Sequence, residues 1–281
     1  MKLVLLGSSG FLGKRIKDFI KDYDVRLTCP TREDFNFNNN NLKFSSKLSE
    51  ELNNADTCIN CIAETNFNIC ESDSKSKIAN ELIPLELSKL LDKSQYMIHL
   101  SSDIFYEQDD NFSSEKSSLK INNEYAAQKS NGERVLNKID PLILRTSFVG
   151  MNNRGAGLLN HIQKTLANEI SIDGWNNVYS SSVSIEKLID VIFLASQKQI
   201  RGIYNFGTSA PYSKFDLIKA ILDNFGKKNL VKKMDLSNLA YQRNKNCGMD
   251  STKIKKTLKI QLPNFEDIVL DCVKALKIRE I

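Results

Sequence analysis

The segment Gly7-Ser8-Ser9-Gly10-Phe11-Leu12-Gly13 follows the apolar run Lys2–Leu6 directly and opens the amphipathic stretch Phe11–Phe19. An apolar strand, a glycine-rich turn and a helix, in that order, restrict the fold more than any other feature of the chain. Glycines permit the tight turn, and a pyrophosphate can then lie against backbone N–H groups at the positive end of the helix. The spacing is G-x-x-G-x-x-G and not the commoner G-x-G-x-x-G. Its place between strand and helix predicts a dinucleotide site built from Gly7, Ser9, Gly10, Phe11, Leu12 and Gly13, with an ordinary turn as the plain alternative.

The rest of the first half repeats the same rhythm. Val25–Cys29, Thr57–Ile62, Tyr96–Leu100 and Pro141–Arg145 read as further strands, and Lys77–Leu91 and Glu124–Leu136 as helices between them. Such alternation predicts an α/β fold with a doubly wound parallel sheet covered on both faces. After residue 145 the rhythm loosens. Met151–Gly157 and Asp173–Ser182 read as loops over a site, Ile185–Ala195 and Lys214–Phe225 as helices, and Ile203–Gly207 as a strand. Thr252–Leu258 and Asn264–Leu276 read as two helices split by Pro263, and the polar patch Asn36–Asn41 as a surface loop. The expected organisation is a nucleotide-binding domain over 1–150, with 183–210 returning to it, and a smaller lobe from 151–182 and 211–281.

Composition narrows the partners. With 41% hydrophobic residues the chain can bury a sizeable core, and 39 Lys and Arg against 34 Asp and Glu leave a net charge of only +5. That is too mild to require nucleic acid or a membrane surface. No apolar run approaches the roughly 18 residues of a membrane span. Basic residues do gather between Lys227 and Lys259, which reads as a solvated face or as a rim attracting an anionic nucleotide. The N-terminal apolar run is one strand long, too short for a secretory signal, so the six cysteines are expected to stay reduced in a cytoplasmic protein. Cys58 and Cys61 form a C-x-x-C inside an apparent buried strand. No second pair completes a metal set, so core packing is expected and no metal is assigned. His99 reads as a satisfied interior histidine and His161 as a helix residue.

The chemistry concentrates in two places. After the second strand come Thr31-Arg32-Glu33-Asp34. A guanidinium at Arg32 suits a 2′-phosphate and favours NADP, while Glu33 and Asp34 keep NAD open. Tyr125-Ala126-Ala127-Gln128-Lys129 is Y-x-x-x-K on an expected helix, with phenol and ammonium one turn apart on one face. A lysine charge there helps the phenol pass a proton to a carbonyl oxygen while hydride moves to the neighbouring carbon. Ser101-Ser102-Asp103 closes the strand Tyr96–Leu100 at the carboxyl end, where ligands bind in such sheets, and a hydroxyl there can hold the substrate oxygen.

With these residues in view the sequence resembles the extended short-chain dehydrogenase/reductase superfamily, and within it the dTDP-4-dehydrorhamnose reductases. Ile98–Asp103 is similar to that family's strand ending in Ser-Thr-Asp, and Asn123–Glu133 to its Tyr-Gly-x-x-Lys-x-x-Gly-Glu helix. Leu144–Val149 is similar to its Arg-Thr-Ser-Trp-Val segment. Asn60-Cys61-Ile62-Ala63 sits where the family has Asn-Ala-Ala-Ala beside the cofactor. Met249–Ile254 and Leu262–Glu266 resemble its closing Leu-Asp-Thr-x-Lys and Leu-Pro-x-Trp-Glu.

The resemblance implies a Rossmann domain with a smaller C-terminal substrate-binding lobe. It implies Ser102 as hydroxyl partner, Tyr125 as acid, and Lys129 on the nicotinamide ribose. Cys61, Ile62 and Ala63 would lie beside the cofactor, with Thr31 and Arg32 at its far end. Ser101, Ser102, Asp103, Phe148 and Trp175 would meet substrate. The related GDP-fucose synthases would instead place the active serine at Ser101, and their Thr-Arg-Asp-Glu-Leu-Asn resembles Thr31–Asn36, which supports NADP. Their epimerising cysteine is replaced by Asp103, and Phe148 stands where the reductases carry a tryptophan.

The implied activity is NADP-dependent reduction of a nucleotide-linked 4-keto-6-deoxy sugar for surface polysaccharide synthesis. Two other readings keep the fold: an NAD-dependent nucleotide-sugar epimerase or dehydratase, and a non-catalytic NADP-binding regulatory subunit. Intact Ser102, Tyr125 and Lys129 argue for catalysis. A helix face such as Lys77–Leu91 could pair two copies as a homodimer.

Overall fold

A computed structural model describes residues 1–38, 41–106, 112–152, 155–236 and 244–278. The strands are β1 (Lys2–Leu6), β2 (Arg26–Thr28), β3 (Phe35–Asn38), β4 (Asn41–Phe44), β5 (Thr57–Asn60), β6 (Tyr96–Ser102), β7 (Leu142–Thr146) and β8 (Phe148–Val149). They continue with β9 (Ile172–Trp175), β10 (Tyr179–Ser180), β11 (Val183–Ser184), β12 (Gly202–Phe206), β13 (Tyr212–Ser213), β14 (Val231–Met234) and β15 (Asn246–Cys247). The helices are α1 (Phe11–Phe19), α2 (Ser46–Asn53), α3 (Phe67–Ser72), α4 (Ile83–Leu90) and α5 (Glu124–Leu136). After them come α6 (Leu158–Asn168), α7 (Ile185–Lys198), α8 (Lys214–Asp223), α9 (Thr252–Leu258) and α10 (Phe265–Lys277).

The chain divides into two compact units. The first takes Met1–Ser102, Ile121–Arg145 and Ile192–Tyr204; the second takes Asp103–Lys120, Thr146–Val191 and Asn205–Ile281. A six-stranded sheet in the order β2-β1-β5-β6-β7-β12 organises the first, with β2, β1, β5 and β6 parallel. This is the doubly wound α/β sheet of a Rossmann-type fold. The chain leaves β1 for β2 on one side and crosses back to β5 on the other, so the loops after β1 and β5 meet where the winding reverses. Ligands bind at such switch points. Register sharpens the point: Leu6 lies beside Asn60, and Asn60 beside His99, so β1 and β5 end in one row and β6 runs three residues past it to Ser102.

Residues of one periodicity build each layer. All seven residues of β6 are buried, as expected of a strand covered on both faces. Helix α1 turns Leu12, Gly13 and Ile16 inward, and α5 starts at Asn123, whose side chain accepts from the Ala126 N–H at 2.8 Å. The core joins Val4, Leu6, Leu52, Leu87, Met97 and Ile143.

Three expectations are corrected. Asn39 and Asn40 of the patch Asn36–Asn41 lie outside the described residues, but the residues on either side are strand: β3 and β4 form an antiparallel pair in which Phe35 faces Phe44, their rings edge-to-face at 5.6 Å. The Phe-Asn-Phe-Asn alternation is a period of two, which gives the ribbon one apolar face. Lys77–Leu91 is not one uniform helix. Ile78–Leu82 is a π-helical turn leading into α4, where Pro84 lacks the N–H that would bond the Asn80 carbonyl. Its face carrying Ile83, Pro84 and Leu87 is buried within the chain. Finally, Asp173–Ser182 holds all but the first residue of β9 and the whole of β10, whose partners β14, β13 and β15 lie far along the sequence and leave no local signal.

The second unit is built from these short pairings, β8 with β11 included, around helices α6, α8, α9 and α10. Helix α10 opens with a reciprocal cap between Asn264 and Asp267. No helix among the described residues is long and apolar enough to cross a membrane. Of the basic stretch Lys227–Lys259, Arg243 lies outside the described residues.

Candidate active site

Each glycine of the first loop answers a separate steric demand. Gly7 has φ +80°, a backbone that L side chains rarely adopt, and a Cβ there would lie 3.0 Å from the Cys61 carbonyl carbon and the Ile62 nitrogen. The loop after β1 therefore packs backbone to backbone on the segment after β5. Gly10 caps α1 without offering a side chain, and its N–H donates to the Gly7 carbonyl at 2.9 Å. A Cβ at Gly13 would fall 2.2 Å from the Gly7 oxygen. Helix and turn can thus approach each other only as glycines. No acidic residue stands in the first turn of α1, so its N-terminal end keeps its positive character toward an anion. Of the remaining loop residues Leu12 is buried, Phe11 half-buried and Ser9 exposed. These features fit the pyrophosphate of a dinucleotide.

Beyond β2, Thr31 begins a short turn over Arg32–Asp34 closed by a reciprocal cap. Asp34 accepts from the Thr31 N–H at 2.8 Å and from the Ser45 hydroxyl at 3.1 Å. Those hydrogen bonds, led by the Thr31 backbone, hold its carboxyl below the ordinary value. One of the two acids that left the cofactor open is therefore engaged in the turn itself. Arg32 is exposed and forms no ion pair among the described residues.

After β5, Asn60 holds the chain that would flank a cofactor. Its side-chain oxygen accepts from the Ile62 N–H at 3.0 Å, so its amide nitrogen must donate, and it meets His99 Nδ1 at 3.2 Å. That fixes the His99 proton on Nε2, and burial keeps the ring neutral. The expectation of a satisfied His99 is only half met: Nδ1 is bonded, but Nε2 is buried with no hydrogen-bond partner among the described residues. Cys61 and Ile62 are half-buried and Ala63 exposed. Burial pushes the Cys58 and Cys61 thiols up to about 12, which leaves both protonated and suited to packing.

Tyr125 and Lys129 project from one face of α5, both buried. The Tyr125 ring lies 5.2 Å from that of Phe67. The Lys129 ammonium donates to the Leu100 carbonyl at 2.7 Å, and burial draws it down to about 8. Ser101 and Ser102 close β6 with their side chains on opposite faces. The Ser101 hydroxyl donates to Glu133 at 2.5 Å, so Ser101 is committed to a structural contact. Glu133 in turn pairs with Arg145 at 2.6 Å, and both side chains are only 4% exposed.

The expected residues of the first unit thus follow the ends of β1, β2, β5 and β6 or stand on α5. Asp103, Phe148 and Trp175 belong to the second unit. Phe148 lies in β8 beside Val183, and Trp175 ends β9 with the Lys214 ammonium 5.1 Å from its ring centroid. Sequence reasoning gave no role to Asn60, Glu133 or Arg145 individually, and to His99 only that of an interior residue. The one available signal was Glu133 four residues beyond Lys129 on the face that already carried Tyr125. Among the described residues no group of three or more His, Cys, Asp or Glu is arranged to hold a metal ion.

Comparison with known proteins gives a family and a fold. The family model of the RmlD substrate binding domain matches residues 1–278. The fold is similar to that of dTDP-4-dehydrorhamnose reductase from Yersinia enterocolitica, with TM-score 0.83, 21% identity and 98% of each chain covered. It is similar to the same enzyme from Bacillus anthracis in complex with NADP, with TM-score 0.83, 16% identity and 99% of each chain covered. A dTDP-glucose 4,6-dehydratase from Streptomyces venezuelae with NAD and TYD bound matches at TM-score 0.80 and 18% identity, over 100% of this chain and 97% of that one. No curated protein matches the sequence.

Proposed function

Because the chain belongs to the RmlD substrate binding domain family, we propose that it reduces a nucleotide-linked 4-keto-6-deoxy sugar with NADPH. The broader class, an NAD(P)-dependent oxidoreductase of the extended short-chain type, follows from the family. The observation that carries the proposal is the pairing of buried Tyr125 and Lys129 on α5, with the Lys129 ammonium seated on the carbonyl of Leu100, two residues before Ser102.

In this reading the glycine loop and the start of α1 hold the pyrophosphate, and Thr31 and Arg32 take the 2′-phosphate. Cys61, Ile62 and Ala63 flank the cofactor. A reduced nicotinamide, when bound, supplies hydride to C4 of the sugar. Ser102 holds the ketone oxygen, and Tyr125 delivers the proton that completes the alcohol. An ammonium has three N–H donors; Lys129 gives one to Leu100, and the others serve the ribose and the phenol side of the site. Its charge is present below about pH 8 and is lost as pH rises through that value, so turnover should fall on the alkaline side. Asp103, Phe148 and Trp175 are assigned to the sugar nucleotide, and the product would serve surface polysaccharide synthesis in the cytoplasm.

The decisive experiment titrates NADPH and NADH against wild type and Arg32→Ala, followed by turnover of 4-keto nucleotide sugars. Tight NADPH binding that Arg32→Ala weakens roughly tenfold, with NADH unchanged, supports the reading. Tyr125→Phe should bind NADPH normally and lose turnover by about a hundredfold or more. Equal or NADH-preferring binding would favour the epimerase or dehydratase reading, in keeping with the NAD-containing dehydratase that shares this fold.

A further inference from the structure

We infer that Glu133 is a positioning residue for Lys129, its carboxylate, clamped by Arg145 and Ser101, holding the lysine ammonium charged and seated on β6. The inference rests on the functional reading above, in which Lys129 binds the nicotinamide ribose.

The geometry is a continuous face of α5. Tyr125, Lys129 and Glu133 follow at intervals of four, so they stack one turn apart, and all three are buried. Lys129 and Glu133 dock on consecutive residues of β6: the ammonium on the Leu100 carbonyl at 2.7 Å, the carboxylate on the Ser101 hydroxyl at 2.5 Å. From β7, Arg145 grips both carboxylate oxygens, with Nε at 3.0 and 3.2 Å and Nη2 at 2.6 Å. A bidentate arginine fixes the carboxylate in direction as well as in charge. Rotation of either long side chain is thereby blocked at one end by the strand and at the other by the helix.

Electrostatics makes the carboxylate necessary. Burial of Lys129 disfavours its ammonium, and the Glu133 charge opposes that effect. The other titratable or charged groups around Lys129 do not replace it. Cys61 at the end of β5 stays a thiol, because burial pushes it up to about 12. His99 on β6 is held neutral, Tyr125 lies on the same helix, and Arg145 is a cation. Glu133 is thus the anion within this set. Without it, Lys129 would lose its proton at lower pH, and the site would lose the charge that binds the ribose and assists the phenol.

The test reads the lysine directly. A ¹³Cε chemical-shift titration of Lys129 in the full chain, assigned with Lys129→Met, gives its midpoint without cofactor or substrate. Glu133→Gln should lower that midpoint by about a unit. It should also bring the alkaline loss of NADPH affinity to correspondingly lower pH, leaving binding about five- to tenfold weaker near pH 8. Glu133→Asp should recover part of both. If Glu133→Gln does not fold, the double variant Glu133→Gln/Arg145→Met removes both charges of the clamp together, so that Arg145 is not left buried without its carboxylate. The same direction of shift is expected from it. A folded variant whose Lys129 midpoint equals or exceeds that of wild type overturns the inference. A wild type that binds no NADPH while its midpoint still depends on Glu133 overturns the functional reading and leaves the coupling standing.

Discussion

Gly13 is the position where one methyl group would do the most harm to the phosphate loop. A Cβ there falls 2.2 Å from the Gly7 carbonyl oxygen, and the obstacle is backbone, so no side chain can swing aside. Helix α1 would have to tilt away from the turn. Gly7 cannot absorb the shift, because it already stands at φ +80° against the backbone of Cys61 and Ile62. Gly13→Ala should therefore cost about 2–4 kcal/mol of stability, the range of a buried steric clash. It should abolish NADPH binding even at temperatures where the variant remains folded. Urea unfolding and fluorescence titration on one sample separate the two effects. Gly10→Ala is the control: its Cβ would meet the same oxygen at 3.1 Å, tight but tolerable, so binding should weaken and persist.

Among the elements, α5 matters most, since it carries Tyr125, Lys129 and Glu133, and its first turn is held by the Asn123 side chain on the Ala126 N–H. Asn123→Ala should cost about 1 kcal/mol, as N-cap losses do, seen as a lower urea midpoint at unchanged slope. Turnover should fall further than stability, because Tyr125 lies in the turn that frays; an unchanged kcat would detach the cap from the site. Such elements were legible in sequence. α1 and α9 occupy the stretches that the periodic pattern marks, because a helix with one apolar face declares itself locally, and α5 occupies the stretch that carries Y-x-x-x-K. Y-x-x-x-K and the glycine spacing were legible for the same reason. What stayed hidden depends on distant partners. β9 becomes a strand only beside β14, and Glu133 gains its meaning only when β7 brings Arg145 across. The half-satisfied state of His99 and the π turn before Pro84 likewise arise from packing that no spacing encodes.

At the scale of the molecule, the first unit is assembled from three separated stretches, and the last of them, Ile192–Tyr204, lies beyond residue 150. Its contacts are not incidental. The buried Tyr96 hydroxyl lies 3.0 Å from the carbonyls of both Ala195 and Ile200 and shares its one proton between them. Arg201 donates to the Asp140 carbonyl at 2.9 Å and the Gln95 carbonyl at 3.2 Å, and the Gly202 N–H to that of Pro141 at 2.8 Å. Phe193 sets its ring 5.0 Å from that of Phe19 and 4.6 Å from that of Tyr23. A fragment ending at residue 150 would keep the glycine loop, Tyr125 and Lys129, yet lose the edge strand β12 and leave the edge of β7 uncovered. It would also strand the buried phenol of Tyr96, a cost of about 1–3 kcal/mol by itself. Against a domain stability of about 5–15 kcal/mol these losses are decisive. The 1–150 fragment should show no cooperative urea transition and no NADPH binding, although every residue assigned to the cofactor is present. A fragment that unfolded cooperatively and bound NADPH as the full chain does would mean that the return of 192–204 is dispensable. The nucleotide domain would then be continuous in sequence.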